Sequence, residues 1–208
     1  IAAITLTTST FAAANPDEKS TALLGELQKK VASWGDYRVE FEVSIADQNL
    51  TGNYEVSGDS YHLTTPDIEL YCDGSTKYEV NNLDREVAID RVDPADRTVM
   101  GNPTRLFDFM DGSYTHRYIG AALINGTQCE RIELKELAPD GSNQAGQTID
   151  VFVSTQTGLP VRVGYTMGML STEAAVDVVR ITPNIHISST FHYDPQRYEG
   201  FEIIDFRP

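Results

Sequence analysis

The first ordered pattern in the sequence is a stripe of apolar residues at helical spacing. Such a stripe predicts an amphipathic helix over residues 20–34. Ser20 suits the N-cap position, and Gly35 and Asp36 end the pattern. The residues of the stripe are Leu24, Leu27, Val31 and Trp34.

After this helix the period changes from helical spacing to strict alternation. Val39, Phe41, Val43 and Ile45 alternate with charged or polar residues, which indicates a half-buried strand. Further short runs of the same type follow, separated by turn signals, with no helical run between them over the next ~45 residues. The pattern predicts an antiparallel meander rather than βαβ units. The further predicted strands include residues 68–71, 77–80, 86–89, 115–123, 129–137, 148–154, 160–169, 176–181, 190–193 and 201–206.

The meander is interrupted between Asp93 and Gly112. Asn102 is a good N-cap and Pro103 suits the first position of a helix, so we expect a short helix here. Its apolar residues cover most of its surface, and such a helix must be buried against something. These residues are Leu106, Phe107, Phe109 and Met110.

The N-terminal segment is uncharged and mostly apolar or small. It ends in an A-x-A-like run, Ala12 to Ala14, before the chain turns polar at Asn15. We interpret residues 1–14 as the remnant of a signal peptide and residues 15–208 as one domain. The alternative is a first β-strand, because Ile4, Leu6 and Thr8 alternate.

The net charge of −15 narrows the range of partners. Nucleic-acid binding needs clustered Lys and Arg, so this charge argues against it. The same charge disfavours an anionic membrane surface, and it favours a monomer in solution.

Cys72 and Cys129 match no metal-binding spacing. If they paired, the closed loop would stabilise the fold by roughly 4 kcal/mol. Cys72 shares a strand face with apolar residues, whereas Cys129 shares one with Arg131 and Glu133. This difference favours two separate thiols.

The sequence contains few signs of catalysis. It has no nucleophile elbow, zinc-protease motif or phosphate-binding loop. His186 and His192 lie near Asp194, but spacing of this kind is common by chance. We therefore expect no catalytic residues, no metal and no cofactor, and we interpret the chain as a non-enzyme.

Apolar residues offer a different candidate site. Val161, Val163, Tyr165, Met167 and Met169 share one strand parity, and Met100 and Met110 lie in the central break. Methionine suits surfaces that adapt to irregular apolar shapes. These residues fit either an ordinary core or the wall of a cavity.

The order of these motifs resembles the LolA family of periplasmic lipoprotein carriers, over residues 20–207. An amphipathic helix precedes the first strand, and an apolar lid helix follows the meander. The matching runs are Tyr37–Val43, Gly52–Val56, Asp73–Tyr78, Asn102–Phe107, Phe191–Asp194 and Asp205–Arg207. One feature departs from the family, because its usual Arg-Pro after the second strand is replaced by Ser57-Gly58-Asp59.

The resemblance implies an unclosed antiparallel β-barrel covered by a helical lid. It also implies an apolar cavity, since exposing an acyl chain of ~16 carbons to water costs roughly 12 kcal/mol. Sequence alternation groups the residues of each strand but does not decide which sheet face lines the cavity. The residues that the resemblance places in the cavity or lid are Phe41, Val43, Tyr54, Tyr61, Leu63, Tyr78, Leu106, Phe107, Phe109, Met110, Val163, Tyr165 and Met167.

The function that the resemblance implies is that of a periplasmic chaperone for lipoproteins. Its expected partners are acylated lipoproteins, an inner-membrane lipoprotein-releasing ABC transporter and an outer-membrane acceptor. Two alternatives share the fold: a lipid transporter, and an envelope-stress sensor of stray lipoproteins.

Overall fold

A computed structural model describes residues 16–45, 48–96, 98–137, 147–167, 172–187 and 191–207. The predicted signal-peptide remnant and Met169 lie outside these ranges. In the described residues, no helix combines the length and the apolar character needed to span a bilayer.

The described chain folds as one helix and twelve strands, with two 3-10 turns at Pro103–Arg105 and Pro195–Tyr198. The elements are α1 (Pro16–Ala32), β1 (Tyr37–Ile45), β2 (Gln48–Ser57), β3 (Ser60–Thr64), β4 (Ile68–Cys72), β5 (Thr76–Asn81), β6 (Glu86–Arg91), β7 (Tyr114–Ile124), β8 (Thr127–Glu136), β9 (Thr148–Ser154), β10 (Pro160–Met167), β11 (Thr172–Pro183) and β12 (Glu202–Asp205).

All twelve strands belong to one open sheet. Strands β1 to β6 form one antiparallel meander and β7 to β11 form a second, and the two meet where β1 pairs with β11. β12 adds to the edge strand β6 in parallel, so the two edges of the sheet are β12 and β7. The predicted unclosed, largely antiparallel architecture is confirmed.

The alternation in β1 separates the two faces of the sheet. Tyr37, Val39, Phe41 and Val43 are buried on one face, which we call the inner face. The opposite, outer face carries ion pairs between neighbouring strands. These pairs include Arg38–Glu55, Arg131–Asp150 (2.8 Å) and Arg162–Asp177 (2.6 Å).

Helix α1 begins four residues earlier than the sequence pattern indicated. Pro16 and the acidic Asp17 occupy its first turn, where a fixed φ and a negative charge both favour a helix start. The expectation that Ser20 is the N-cap is therefore wrong. Ser20 is buried inside the helix, where its Oγ donates to the Asp17 carbonyl oxygen at 2.9 Å. The predicted apolar stripe is confirmed by Leu24 and Leu27, which are both fully buried.

The helix expected at residues 102–110 is reduced to a single 3-10 turn. Asn102 precedes the turn, but its side chain caps no backbone N–H group and accepts instead from Thr104 Oγ1 at 2.6 Å. Irregular backbone follows, and Leu106, Phe107 and Phe109 are all buried. Tertiary packing therefore overrides the local capping signal. We call residues 99–110 the cover segment.

The strand expected at residues 190–193 is absent over the described residues 191–193. There the chain runs without regular structure into the turn at Pro195–Tyr198 before β12. Asp194 caps this turn by accepting a hydrogen bond from the backbone N–H of Gln196.

Two separate apolar clusters hold the sheet. The larger lies on the inner face and joins residues of α1, the cover segment and both meanders. The smaller lies on the outer face of β4 to β6, under the C-terminal segment. Cys72 and Cys129 are separate buried thiols, as their strand positions indicated.

Gly52 is required by a close approach inside the larger cluster. A Cβ atom there would lie 2.7 Å from the Phe41 ring and 2.8 Å from the Thr64 carbonyl oxygen. A glycine at this position lets Phe41 lie directly against β2.

Candidate functional site

The inner face brings together most of the residues that the sequence assigned to a cavity wall. Phe41 pairs with Gly52, Tyr54 with Leu63, and Val163 with Val176, so their side chains share one face across neighbouring strands. All of the assigned wall residues of this face whose side chains are described are less than a tenth exposed. They are Phe41, Val43, Tyr54, Tyr61, Leu63, Val163 and Tyr165.

Two of the assigned residues stand apart from this group. Tyr78 pairs with Tyr71, which pairs with His62, and this register places Tyr78 on the outer face. Its ring stacks on Tyr193 with centroids 4.8 Å apart. Met167 ends β10, and its side chain is not among those that the structure describes.

The cover segment lies on the inner face and fills it with large apolar side chains. Leu106, Phe107 and Phe109 are 0%, 4% and 2% exposed and belong to the same cluster as the sheet residues. Met110 is partly buried against that cluster. The segment therefore packs over the sheet as irregular backbone, and it is not the helix that the family resemblance implied.

The cover segment is tied to the sheet by the phenol of Tyr61. The Tyr61 hydroxyl donates to the Gly101 carbonyl oxygen at 2.9 Å. Gln28 on α1 also reaches the segment, with its Nε2 donating to Asp108 Oδ1 at 3.4 Å. Arg105 pairs with Asp108 (2.8 Å) and Asp111 (3.3 Å). The Tyr61 hydrogen bond joins sheet and cover without the arginine that the family uses after its second strand.

Helix α1 covers the inner face at the other meander. Ser20 Oγ lies 2.9 Å from His116 Nδ1 on β7. Lys19 forms an ion pair with Glu130 at 3.0 Å, and its ammonium sits over the Tyr118 ring. Polar contacts at the helix start therefore hold α1 against β7 and β8, and Leu24 enters the apolar cluster.

The inner face is apolar but contains several phenols. Burial raises the pKa of Tyr37 and of Tyr165 far above the ordinary range. Burial also raises the pKa of Tyr54, with further contributions from the neighbouring phenols of Tyr37 and Tyr165. These hydroxyls stay protonated, so they are neutral groups that can donate hydrogen bonds in a dry environment.

Sequence reasoning missed a large part of the inner face. Strands β8 and β9 contribute fully buried residues that the sequence assigned to strands but not to a site. An alternating signal was present in part, because Glu133 separates Ile132 from Leu134 and Asp150 separates Ile149 from Val151. The missed residues are Ile132, Leu134, Ile149, Val151 and Val153.

The described side chains give no sign of a metal centre. Among residues 16–207, apart from the undescribed stretches, no group of three or more His, Cys, Asp or Glu side chains is placed to hold a metal ion. The arrangement is instead an apolar inner face packed under an apolar cover segment. That arrangement defines the class of protein as an open-sheet fold with a covered apolar face.

Solved structures share this fold at low sequence identity. An uncharacterized conserved protein from Thermus thermophilus matches 89% of this chain and 98% of its own, with a TM-score of 0.58 and 8% identity. MucB matches 85% of this chain with a TM-score of 0.52 and 13% identity, and the match covers 62% of MucB. A LolA superfamily protein from Nitrosomonas europaea matches 85% of this chain and 98% of its own, with a TM-score of 0.41 and 9% identity.

The likeness to these structures concerns the fold. The open-sheet fold that the resemblance implied is shared with the Thermus thermophilus protein and with MucB. The sequence itself matches no protein-family model and no curated protein.

Proposed function

We propose that the chain is a periplasmic carrier that shields the acyl chains of lipoproteins on its inner face. In this proposal it catalyses no reaction and delivers its cargo towards the outer membrane. The observation that carries the proposal is the cover segment, an irregular stretch whose large apolar side chains occupy the inner face. An acyl chain would take the place of those side chains.

The energetics of this exchange suit a carrier. Exposing Leu106, Phe107 and Phe109 costs roughly 5–9 kcal/mol, at about 1.5–3 kcal/mol for each side chain. Burying an acyl chain of ~16 carbons returns roughly 12 kcal/mol. The exchange is favourable by roughly 3–7 kcal/mol, which is much less than the full transfer energy of the acyl chain, so the cargo can be both held and released.

The Tyr61 hydrogen bond supplies the closing contact in this proposal. The Tyr61 hydroxyl donates to a backbone carbonyl of the cover segment, and breaking this hydrogen bond costs about 1 kcal/mol net. A neutral hydrogen bond of this strength adds to the apolar packing of the cover segment without locking the closed form. The expected partners are those of the family: an inner-membrane ABC transporter that supplies the cargo and an acceptor that receives it.

Two alanine variants test the exchange. Phe107→Ala removes a side chain that must leave the inner face, so we expect it to destabilise the free protein by about 3–5 kcal/mol. Its affinity for a palmitoylated peptide should stay the same or increase. Leu63→Ala removes part of the sheet wall, so it should lower both stability and affinity. Urea unfolding and fluorescence titration measure the two quantities.

The signs of the two affinity changes decide the outcome. If Phe107→Ala weakens binding as much as Leu63→Ala does, the cover segment is part of the binding wall and is not displaced. If the wild-type protein binds no palmitoylated peptide, the proposal fails. Tighter binding of free palmitate than of the peptide would favour a lipid transporter over a lipoprotein carrier.

A further inference from the structure

The Tyr54 hydroxyl is a buried donor without a hydrogen-bond partner in the part of the chain that the structure describes. Tyr54 is 0% exposed in the middle of the inner face, where it pairs with Val39 on one side and Leu63 on the other. Its oxygen makes no hydrogen bond to any of the described residues. The ring packs against Phe41 with centroids 5.9 Å apart, so the position of the phenol is fixed by its neighbours.

A hydroxyl in this condition is unusual in a folded protein. Buried polar groups almost always find a hydrogen-bond partner, because leaving one unpaired carries a desolvation cost. Tyr61, on the neighbouring strand and the same face, follows that rule by donating to Gly101. Tyr54 departs from it, although a phenylalanine would fill the same space without the cost.

We propose that the Tyr54 hydroxyl is the donor for a carbonyl oxygen of the bound ligand, at the ester or amide that links an acyl chain to its carrier. This inference rests on the proposed function and adds a polar anchor to it. The ligand class that it names is the carbonyl-linked acyl group, as distinct from a plain hydrocarbon chain.

The surroundings of Tyr54 favour a neutral acceptor. The residues next to Tyr54, namely Val39, Phe41 and Leu63, are apolar, and a charged headgroup placed among them would lose its hydration. A carbonyl oxygen is small and neutral, and it accepts from a phenol with good geometry. Burial raises the pKa of Tyr54, so its proton remains available for donation.

A pair of matched lipids tests the anchor. Monopalmitin carries an ester carbonyl, and hexadecyl glycerol is its ether analogue without that carbonyl. The wild type should bind monopalmitin more tightly, by roughly fivefold, the value of one net hydrogen bond. Tyr54→Phe should abolish this preference by weakening monopalmitin binding while leaving the ether unchanged. Isothermal titration of both lipids measures it.

Tyr61→Phe is the matched control, because it removes a hydroxyl that already has a partner. We expect Tyr61→Phe to lower the urea midpoint and to change the affinities for the two lipids by the same factor. Tyr54→Phe should instead raise the midpoint of the free protein, since it removes an unpaired buried hydroxyl.

The possible outcomes distinguish a failure of the proposed Tyr54 anchor from a failure of the carrier proposal. If wild type and Tyr54→Phe bind both lipids with the same ratio of affinities, the anchor is overturned and the carrier proposal stands. If Tyr54→Phe lowers the midpoint as Tyr61→Phe does, the hydroxyl has a partner in the free protein and the anchor is likewise overturned. If neither lipid binds to the wild type, both proposals fall together.

Discussion

Like the Tyr54 side chain, the His62 side chain contains a buried polar atom, and its environment lowers its pKa. Its ring stacks on Tyr71 with centroids 4.5 Å apart. Its Nε2 atom is buried without a hydrogen bond to the described residues and lies 3.6 Å from Glu69 Oε2. Burial lowers the pKa of His62 below its ordinary value of 6.5, and the positive charge of Arg197 lowers it further. The negative charges of Glu69 and Glu55 act in the opposite direction but are outweighed. His62 is therefore neutral in the folded protein at neutral pH.

This environment predicts a loss of stability in mild acid. Because the folded pKa is lowered, the unfolded chain binds the proton more readily, so stability is lost as pH falls below about 6.5 and through the folded pKa. His62→Phe keeps the stacked ring without a titrating group. We expect the urea midpoint of the wild type to fall between pH 7.5 and pH 5.5 relative to that of His62→Phe. If the urea midpoints of the wild type and of His62→Phe change in parallel over this range, the lowered pKa of His62 is contradicted.

Individual residues also show which features of the fold could be predicted from the sequence and which could not. Alternation grouped Tyr54 with its strand neighbours correctly, because a strand places every second side chain on one face. It could not orient Tyr78, because the apolar face of the sheet changes from the inner to the outer side between β4 and β5. That change depends on the C-terminal segment, whose docking against the outer face is a long-range contact.

At the scale of elements, residues 193–201 of the C-terminal segment pack across the outer face. We call these residues the strap. Tyr198 is 6% exposed, its hydroxyl lies 2.8 Å from that of Tyr71, and its ring packs against Phe201. Arg197 reaches the same Tyr71 hydroxyl at 2.6 Å. The following strand, β12, then completes the sheet against β6.

The strap predicts a variant that separates stability from binding. Tyr198→Ala removes a buried aromatic ring and should destabilise the protein by about 3–5 kcal/mol. Because Tyr198 lies on the face opposite the proposed site, its affinity for a palmitoylated peptide should match the wild-type value under conditions in which both are folded. A loss of affinity comparable to that of Leu63→Ala would show that the two faces are coupled.

Element boundaries followed the sequence where the local signal and the packing agreed. The alternation of Val39 and Phe41 predicted β1 correctly, and the apolar stripe containing Leu24 predicted which side of α1 is buried. The signal at Asn102 and Pro103 was a local one for a helix start. It was outweighed by the burial of Phe107 and its apolar neighbours, which no local pattern encodes.

On the scale of the whole molecule, the two faces of the sheet have different roles. The outer face is held by ion pairs and by an aromatic cluster under a strap. The inner face is held by the packing of the cover segment and α1. A ligand that displaces the cover would therefore leave the outer cluster and the strand pairing in place.

Hydrogen exchange with and without a palmitoylated peptide tests this displacement most directly. On binding, residues 99–110 should exchange faster, because the cover segment leaves the inner face, while β1 to β3 and β9 to β11 keep or gain protection. The Tyr198 region should be unchanged. If the peptide binds and residues 99–110 become more protected, or if their exchange does not change, the cover segment is a fixed part of the core and the account is wrong.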